Sequence, residues 1–189
     1  MIYYLVAIGV FSLYIIYDIN SVTIKNHWLD KLFLLASVIF TITNVVMIFR
    51  LKNAIAFTSS TIVLIGCALI FLSLLIYTLF FALPFEATYV SFNQTKTIRT
   101  GMYGLSRHIG VLWFILMYVC LIFVFNDFTF TLFASISSLM NLIYIVIQDN
   151  FTFVRVFWDY QEYKQEVPFL IPTYSSVKRV ILKGENYEF

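Results

Sequence analysis

Charged side chains are scarce in this chain of 189 residues. Lys, Arg, Asp and Glu together make up only 12% of it, whereas 61% of its residues are hydrophobic. A soluble domain contains about a quarter charged and about half apolar residues, so the composition excludes a soluble protein and indicates one embedded in a lipid bilayer. The net charge of +2, with no basic run, excludes a nucleic-acid partner. The length suits one membrane domain, residues 1–189, and leaves the oligomeric state open.

Cysteine and histidine are also rare, with two residues of each. Cys67 and Cys120 lie in apolar stretches without CxxC or Cys/His spacing, so we interpret both as small buried hydrophobic residues. His27 and His108 are far apart in the sequence, and too few other ligands accompany them to predict a metal site. The chain also lacks the HExxH and P-loop motifs and the chain order of a Ser-His-Asp triad.

Long uncharged runs, by contrast, are abundant, and about 20 apolar residues suffice for a helix that spans a bilayer. The first run has no preceding basic residue and no small-residue cleavage site, so we interpret it as a retained helix rather than a signal peptide. The third run is too short for two spans and predicts one long or tilted helix. The predicted membrane helices are 2–17, 32–49, 54–83, 110–125 and 128–147. The fold class is therefore an all-α integral membrane bundle of about five transmembrane helices.

The distribution of basic residues predicts the orientation of this bundle, because an odd number of spans places the chain ends on opposite sides. Ten of the twelve Lys and Arg fall in the 18–31 loop, the 84–109 loop and the segment 148–189. Only Arg50 and Lys52 fall on the other side. The positive-inside rule then places the C-terminus in the cytosol and the N-terminus outside. We expect a multi-pass protein of a bacterial or archaeal plasma membrane, with both long polar segments in the cytosol.

The cytosolic segment 148–189 shows the periodicity of a surface helix over residues 151–165. Its apolar face carries Phe153, Val156, Phe157, Tyr160, Tyr163 and Val167. Its other face carries Asp159, Gln161, Glu162 and Glu166. Pro168 ends the helix, and the strap, Val167–Pro172, is expected to be extended because residues before proline avoid the helical region. The apolar face can lie on lipid headgroups or pack against the bundle; its few basic residues favour packing. Residues from Ser175 onward read as an exposed tail.

Six polar side chains are predicted to converge at one cytosolic edge of the membrane. They are Tyr103, Arg107 and His108 from the loop, and Gln148, Asp149 and Arg155 from the boundary after the last membrane helix. Charged groups beside a membrane are costly to desolvate and often mark a binding site. Together they suit a doubly charged polar cofactor whose pocket opens to lipid. The alternative interpretation makes Arg107 a positive-inside anchor and His108 an interfacial cap.

The order of residues in the loop resembles the signature of a known family. Thr100-Gly101-x-Tyr103-x-x-x-Arg107-His108 resembles the T-G-x-Y-x-x-x-R-H-P motif of the isoprenylcysteine carboxyl methyltransferase-like and phospholipid methyltransferase-like membrane methyltransferases. That family also has a paired glutamate, a Tyr-x-x-Tyr helix and a V-P-x-x-I-P strap. The similar segments of this chain are Gln148-Asp149, Tyr160-Gln-Glu-Tyr163 and Val167-Pro168-Phe-Leu-Ile171-Pro172. The resemblance covers roughly residues 62–172, and two motifs in the family's order make it specific.

The resemblance implies a membrane-embedded methyltransferase that uses S-adenosylmethionine and releases S-adenosylhomocysteine. The acceptor would be a lipophilic or lipidated carboxylate, thiol or amine that enters from the bilayer. The residues implied for the cofactor are Gly101, Tyr103, Arg107, His108, Gln148, Tyr160, Tyr163, Leu170 and Ile171. Arg107 would pair with the methionine carboxylate, for which a guanidinium has a suitable fork geometry. Asp149 and Arg155 are the catalytic candidates, and a nearby carboxylate would help an amine acceptor to lose its proton.

Four residues depart from the family pattern and leave alternatives open. Gln148 replaces the first glutamate, Asp149 keeps the second charge on a side chain one methylene shorter, Ile109 replaces the proline after His108, and Phe157 replaces a usual glycine. A catalytically degenerate member of the fold, which binds a ligand or a partner without turnover, is the main alternative. A small transporter or channel would require ionisable residues at mid-membrane depth. The helix interiors offer neutral polar residues such as Asn44 and Asn141 instead, and these suit interhelical hydrogen bonds.

Overall fold

A computed structural model describes residues 2–82 and 96–184, and these residues form helices and no β-strand. The helices are α1 (Ile2–Val22), α2 (His27–Asp30), α3 (Leu32–Leu51), α4 (Ser59–Phe80), α5 (Gly101–Leu105), α6 (Ile109–Phe125), α7 (Phe128–Ile147), α8 (Phe153–Val156), α9 (Tyr160–Glu166) and α10 (Tyr174–Gly184). The predicted all-α membrane bundle is confirmed. The described residues do not include residue 1, residues 83–95 or residues 185–189. The first half of the predicted cytosolic loop, 84–109, therefore lies outside them.

Four helical stretches are long and apolar enough to cross a membrane, and they fit a multi-pass membrane protein. They are Ile2–Val22, His27–Leu51, Ser59–Phe80 and Phe128–Val156. The fifth apolar helix, α6, has 17 residues. Many of the large apolar side chains on these helices are exposed, as a lipid environment requires. On α3 they include Phe33, Leu34, Leu35, Val38, Ile42, Val45, Val46 and Phe49.

Two ends of the membrane helices differ from the prediction. The helix α1 continues to Val22 instead of ending at residue 17, so Asp18 and Asn20 lie inside the helix and are buried. The helix α4 is a single helix, as predicted, but it begins at Ser59 rather than at residue 54. The Thr58 hydroxyl accepts a hydrogen bond from the Thr61 backbone N–H at 3.2 Å, which satisfies one of the otherwise unpaired donors of the first turn.

The chain divides into two compact units, of which unit 1 comprises Met1–Ile70 and Ile115–Thr152. In unit 1, α1 packs against α3 and α7. Ala7, Ala36 and Ala134 are completely buried, and such small side chains let membrane helices approach closely. Aromatic rings fill the space beside them, with Phe40 contacting both Phe11 and Phe133 at centroid distances of 5.7 and 6.1 Å.

A polar pair joins two membrane helices within this unit. The Tyr118 hydroxyl of α6 donates a hydrogen bond to the Asn44 side-chain oxygen of α3 at 2.6 Å. The prediction that Asn44 serves an interhelical hydrogen bond is therefore confirmed.

Unit 2 comprises Phe71–Phe114 and Phe153–Phe189. Its part of α6 approaches α4 closely, because a Cβ atom added at Gly110 would lie only 3.6 Å from Thr78 Cγ2. Phe71 and Trp113 stack between the same two helices, with ring centroids 6.1 Å apart. A hydrophobic core in this unit is formed by Tyr160, Tyr163 and Val167, with Phe153, Val154 and Phe157 packed against them.

The C-terminal segment is more broken than the sequence predicts. Instead of one surface helix over 151–165, α7 passes through a π-helical turn, Gln148–Thr152, into the short α8, and a separate α9 follows. The predicted burial of the apolar face is confirmed, since Tyr160, Tyr163 and Val167 are buried. Val167 has extended backbone geometry, as predicted for the start of the strap. The expected exposed tail is wrong for residues 175–184, which belong to α10, and this helix packs against α5.

Candidate functional site

The loop motif begins with a glycine that the backbone geometry requires. Gly101 is the first residue of α5 and has φ +55°, a left-handed conformation that side-chain-bearing residues rarely adopt. Three residues later, Gly104 permits a close approach within unit 2. A Cβ atom at this position would lie 2.7 Å from the Arg99 carbonyl oxygen and 2.8 Å from Val180 Cγ2 of α10. These glycines therefore fix how α5 presents Tyr103, which lies between them.

The main chain of the loop pairs with the main chain of the strap. The Arg107 and His108 backbone N–H groups donate hydrogen bonds to the carbonyl oxygens of Pro168 and Phe169, at 3.0 and 3.1 Å. Ser106, which is fully buried, adds a third link. Its hydroxyl lies 3.0 Å from the Phe169 carbonyl oxygen and 2.9 Å from that of Leu170. The two segments that carry the resemblance are thus joined directly inside unit 2.

The Arg107 side chain strengthens the same junction. Its Nη1 atom donates hydrogen bonds to the carbonyl oxygens of Lys164 and Val167, at 2.8 and 2.7 Å. These carbonyls lie at the C-terminal end of α9, where a cation is favoured by the helix dipole and by the unpaired acceptors of the last turn. The guanidinium carbon also lies 5.6 Å from the Phe169 ring centroid. Arg107 therefore holds the start of the strap, whatever else it binds.

His108 lies in an aromatic layer. Its imidazole is buried and lies 5.9 Å from the Phe153 ring, nearly parallel to it, and 5.0 Å from the Phe169 ring, which meets it edge-on. Phe153 comes from α8 and Phe169 from the strap, so His108 bridges both parts of the C-terminal segment.

Three predicted tyrosines lie close to this layer. The Tyr163 hydroxyl donates a 2.7 Å hydrogen bond to the Tyr103 carbonyl oxygen, and the Tyr103 hydroxyl donates a 3.0 Å bond to the Thr78 carbonyl oxygen in the last turn of α4. Tyr160 is buried with its ring 5.8 Å from Tyr163 and 5.6 Å from Phe153. The Tyr-x-x-Tyr pair of α9 thereby contacts both α5 and the aromatic layer.

An ion-pair network beside α9 was missed by the sequence analysis. Asp159 was placed on the polar face of a surface helix, and this is wrong because its side chain is buried. It accepts hydrogen bonds from the Thr97 backbone N–H at 2.8 Å, the Thr97 hydroxyl at 2.7 Å and Arg99 Nη2 at 2.8 Å. Arg99 also pairs with Glu166 at 2.8 Å and Glu162 at 3.3 Å.

The ionisation of Asp159 follows from these contacts. Burial raises the pKa of its carboxyl, but the hydrogen bonds from Thr97 and Arg99 outweigh that effect, so the pKa lies below its usual range. Asp159 is therefore a charged anchor that ties the loop at Thr97 to the start of α9.

The remaining site residues are distributed over both units. In unit 2, Arg155 on α8 and Ile171 in the strap are exposed, and Leu170 is half-buried. Gln148 and Asp149 belong to unit 1, where they open the π-helical turn, and Asp149 is buried. The structure thus brings Gly101, Tyr103, Arg107, His108, Tyr160, Tyr163 and Leu170 together in one unit. The functional roles of all the predicted site residues, including Gln148, Asp149 and Arg155, stay predictions.

Gln148 has a carboxylate neighbour that the sequence analysis assigned to a loop. Its Nε2 atom donates a 2.8 Å hydrogen bond to the Tyr144 hydroxyl, and Gln148 and Tyr144 both hydrogen-bond the Asp18 carboxylate. Asp18 is 5% exposed, and its Oδ2 atom has no hydrogen-bond partner in the described part of the chain. A buried carboxyl group therefore lies beside the position where the resembling family has its first glutamate.

This chain matches no protein-family model, no curated protein and no solved structure.

Proposed function

We propose that this chain is an integral membrane methyltransferase that transfers a methyl group from S-adenosylmethionine to a lipophilic acceptor bearing a carboxylate, thiol or amine. One observation carries the proposal: the two segments that resemble the methyltransferase family are hydrogen-bonded to each other through Arg107, His108 and the strap. A resemblance in two motifs separated by about sixty residues gains weight when those motifs meet in space, because a binding site requires both.

The residues of unit 2 fit the chemical groups of the proposed cofactor. S-adenosylmethionine carries a carboxylate, an ammonium group, a sulfonium and a flat adenine ring. A guanidinium with a planar fork suits the carboxylate, and Arg107 supplies one beside the strap. The layer of His108, Phe153 and Phe169 supplies the kind of ring surface on which an adenine stacks. The engagement of Arg107 with two carbonyl oxygens adds a second role, since it also keeps the strap in position.

When bound, S-adenosylmethionine supplies an electrophilic methyl group, and the residues of the chain would align the reacting atoms and exclude water from them. An in-line displacement is accelerated mainly by alignment of the reacting atoms and by removal of water. The strap is held in position by main-chain hydrogen bonds, by Ser106 and by Arg107. The buried tyrosines of α9 pack with Val167 in an apolar cluster beside it, and we expect this cluster to exclude water from the site.

The matched test of the donor site is His108→Phe. Phenylalanine retains a ring between Phe153 and Phe169 and removes both imidazole nitrogens, so the fold is expected to persist. Equilibrium dialysis with radiolabelled S-adenosylmethionine should show binding to the wild-type protein in nanodiscs and weaker binding to the variant. Circular dichroism supplies the control that both proteins are equally folded. Unchanged affinity in His108→Phe would remove this residue from the site.

A second function, ligand binding without turnover, is favoured by Gln148, which lacks the charge that the family has at this position. The structure suggests a paired substitution, because a glutamate at 148 alone would place a second carboxylate beside Asp18. The double variant Gln148→Glu with Asp18→Asn keeps one carboxylate and moves it to the family position. Transfer of labelled methyl groups to a lipid extract by the wild-type protein would reject the second function. Transfer by the double variant alone would support it.

A further inference from the structure

The helix α10, Tyr174–Gly184, is amphipathic and basic. It contains Lys178, Arg179 and Lys183 and no acidic residue. One side of the helix is covered by unit 2, because Ser176 is fully buried and Val180 lies against Gly104 of α5. The basic character distinguishes α10 from the neighbouring α9, whose exposed side carries Glu162 and Glu166.

A second side of α10 is apolar and exposed. Tyr174, Val177 and Ile181 follow at steps of three and four residues, so they share one face of the helix. Tyr174 is 84% exposed and Ile181 is 62% exposed. Lys178 is exposed next to this stripe, as the helical period requires. An exposed apolar stripe on a basic amphipathic helix is the pattern of a helix that lies in the interface of a membrane.

The position of α10 in unit 2 is close to the end of a membrane-spanning helix. The Tyr103 hydroxyl of α5 bonds to the Thr78 carbonyl oxygen in the last turn of α4. Gly104, the residue after Tyr103 in α5, lies against Val180 of α10. Only the short α5 therefore separates α10 from the end of α4, a spacing of about one helix diameter, roughly 10 Å. The end of a membrane-spanning helix lies at headgroup depth, so α10 is within reach of the same layer.

We propose that α10 is a lipid-docking helix, which inserts Tyr174, Val177 and Ile181 among the headgroups of the bilayer that holds the chain and binds anionic lipid through Lys178. Two features of the helix select this occupant. The basic flank complements a negatively charged leaflet, and an exposed tyrosine suits the interfacial region, where its ring and hydroxyl are both accommodated. The inference does not depend on the proposed methyltransferase activity.

Docking of α10 has a consequence for the loop. The same helix supports α5 through the contact at Gly104, and α5 carries Tyr103. Anionic lipid is therefore expected to stabilise α5 together with α10.

The test is a depth measurement on the full chain in nanodiscs. In a background with Cys67→Ser and Cys120→Ala, a nitroxide label is attached at Ile181→Cys or, as the matched control, at Ser175→Cys. Both positions are exposed, but Ser175 lies outside the apolar stripe. We expect the label at 181 to collide more with oxygen and less with a water-soluble nickel complex than the label at 175. The contrast should be larger in phosphatidylcholine discs containing phosphatidylglycerol than in pure phosphatidylcholine, and Lys178→Gln should reduce that difference.

Three results would overturn the proposal. Equal access of the nickel complex to both labels in anionic discs would show that the stripe faces water. Protection of position 181 that persists in detergent and grows with protein concentration would show that a second copy of the chain covers it. Hydrogen exchange of the unmodified protein supplies a measurement free of substitutions: residues 174–184 should exchange several-fold more slowly in anionic discs than in neutral ones, and equal rates would also contradict docking.

Discussion

Breaking the buried ion pair of Arg99 and Asp159 is expected to destabilise the folded protein. Asp159 is 2% exposed, and Arg99 is the cation that contacts its carboxylate among the described ion pairs. Replacing Arg99 with methionine keeps most of the aliphatic stem and leaves the carboxylate without its cation. Removing one partner of a buried pair costs about 3–5 kcal/mol. Since Arg99 is partly exposed, with 20% of its side chain accessible, we expect a loss of about 3 kcal/mol.

The expected loss translates into a measurable thermal shift. For a chain of this length, 1 kcal/mol corresponds to about 2–4 °C in the unfolding midpoint, so Arg99→Met should lower the midpoint by about 6–12 °C. Tryptophan fluorescence in detergent micelles is a suitable assay because Trp158 is next to Asp159 in the chain. Glu166→Gln is the matched control, since it removes a charge that pairs with the same Arg99 but is 46% exposed. An exposed ion pair contributes about 0–1 kcal/mol.

The pH dependence gives the same pair a second signature. The pKa of Asp159 is below its usual range in the folded protein, so its contribution to stability is present above the unfolded pKa of about 3.9. That contribution is lost as the pH falls through the lower, folded pKa. The difference between wild type and Arg99→Met should therefore be largest near neutral pH and shrink under acid conditions. A midpoint for Arg99→Met equal to that of Glu166→Gln at neutral pH would show that the buried pair contributes no more than an exposed one.

Three further substitutions test other contacts by the same thermal assay. Gly104→Ala places a methyl group 2.7 Å from a carbonyl oxygen and should lower the free energy of unfolding by about 1–3 kcal/mol. Gly110→Ala is the control and should be tolerated, because the nearest neighbour of its methyl group would be 3.6 Å away. Equal unfolding midpoints for the two variants would contradict the close approach at Gly104. Tyr118→Phe removes the 2.6 Å hydrogen bond to Asn44 and should cost about 0.6–1.7 kcal/mol, and a gain in stability would contradict its role. Ser106→Ala should cost about 1 kcal/mol and speed proteolysis of the strap, and an unchanged cleavage rate would show that the strap does not depend on Ser106.

The sequence was most informative where a physical constraint is local. The membrane helices follow from uncharged runs, and their predicted C-terminal ends at Phe125 and Ile147 agree with the structure. The strap was predicted to be extended because proline restricts the residue before it, and Val167 has that geometry. The predicted interhelical hydrogen bond of Asn44 required only that a polar side chain inside a membrane bundle finds a partner, and the structure supplies that partner, Tyr118.

The sequence was least informative where a distant residue decides the outcome. A polar residue at the end of an apolar run normally marks the end of a span. Asp18 instead lies inside α1, where Tyr144 and Gln148, far along the chain, hydrogen-bond its side chain. Asp159 fits the polar face of an amphipathic helix by periodicity alone. Its burial depends on Thr97 and Arg99, about sixty residues earlier, and neighbouring residues carry no signal of that contact.

The position of α10 was missed for a related reason. Its segment is short and basic and has low overall hydropathy, so it reads as an exposed tail. The contact that orders it is made by Gly104, whose missing side chain admits Val180. Such a contact depends on the absence of a group, and one sequence does not distinguish that glycine from a glycine that only forms a turn.

We propose that unit 2 binds the methyl donor beside Arg107, His108 and the strap. Calorimetric titration of the wild-type protein in nanodiscs with S-adenosylhomocysteine measures this binding, because the product carries the adenine ring and the amino-acid group without the reactive methyl. We predict saturable binding to one site per chain, weakened in the His108→Phe variant. The absence of binding heat at millimolar ligand, in protein that retains its helical circular dichroism, would contradict the proposed site.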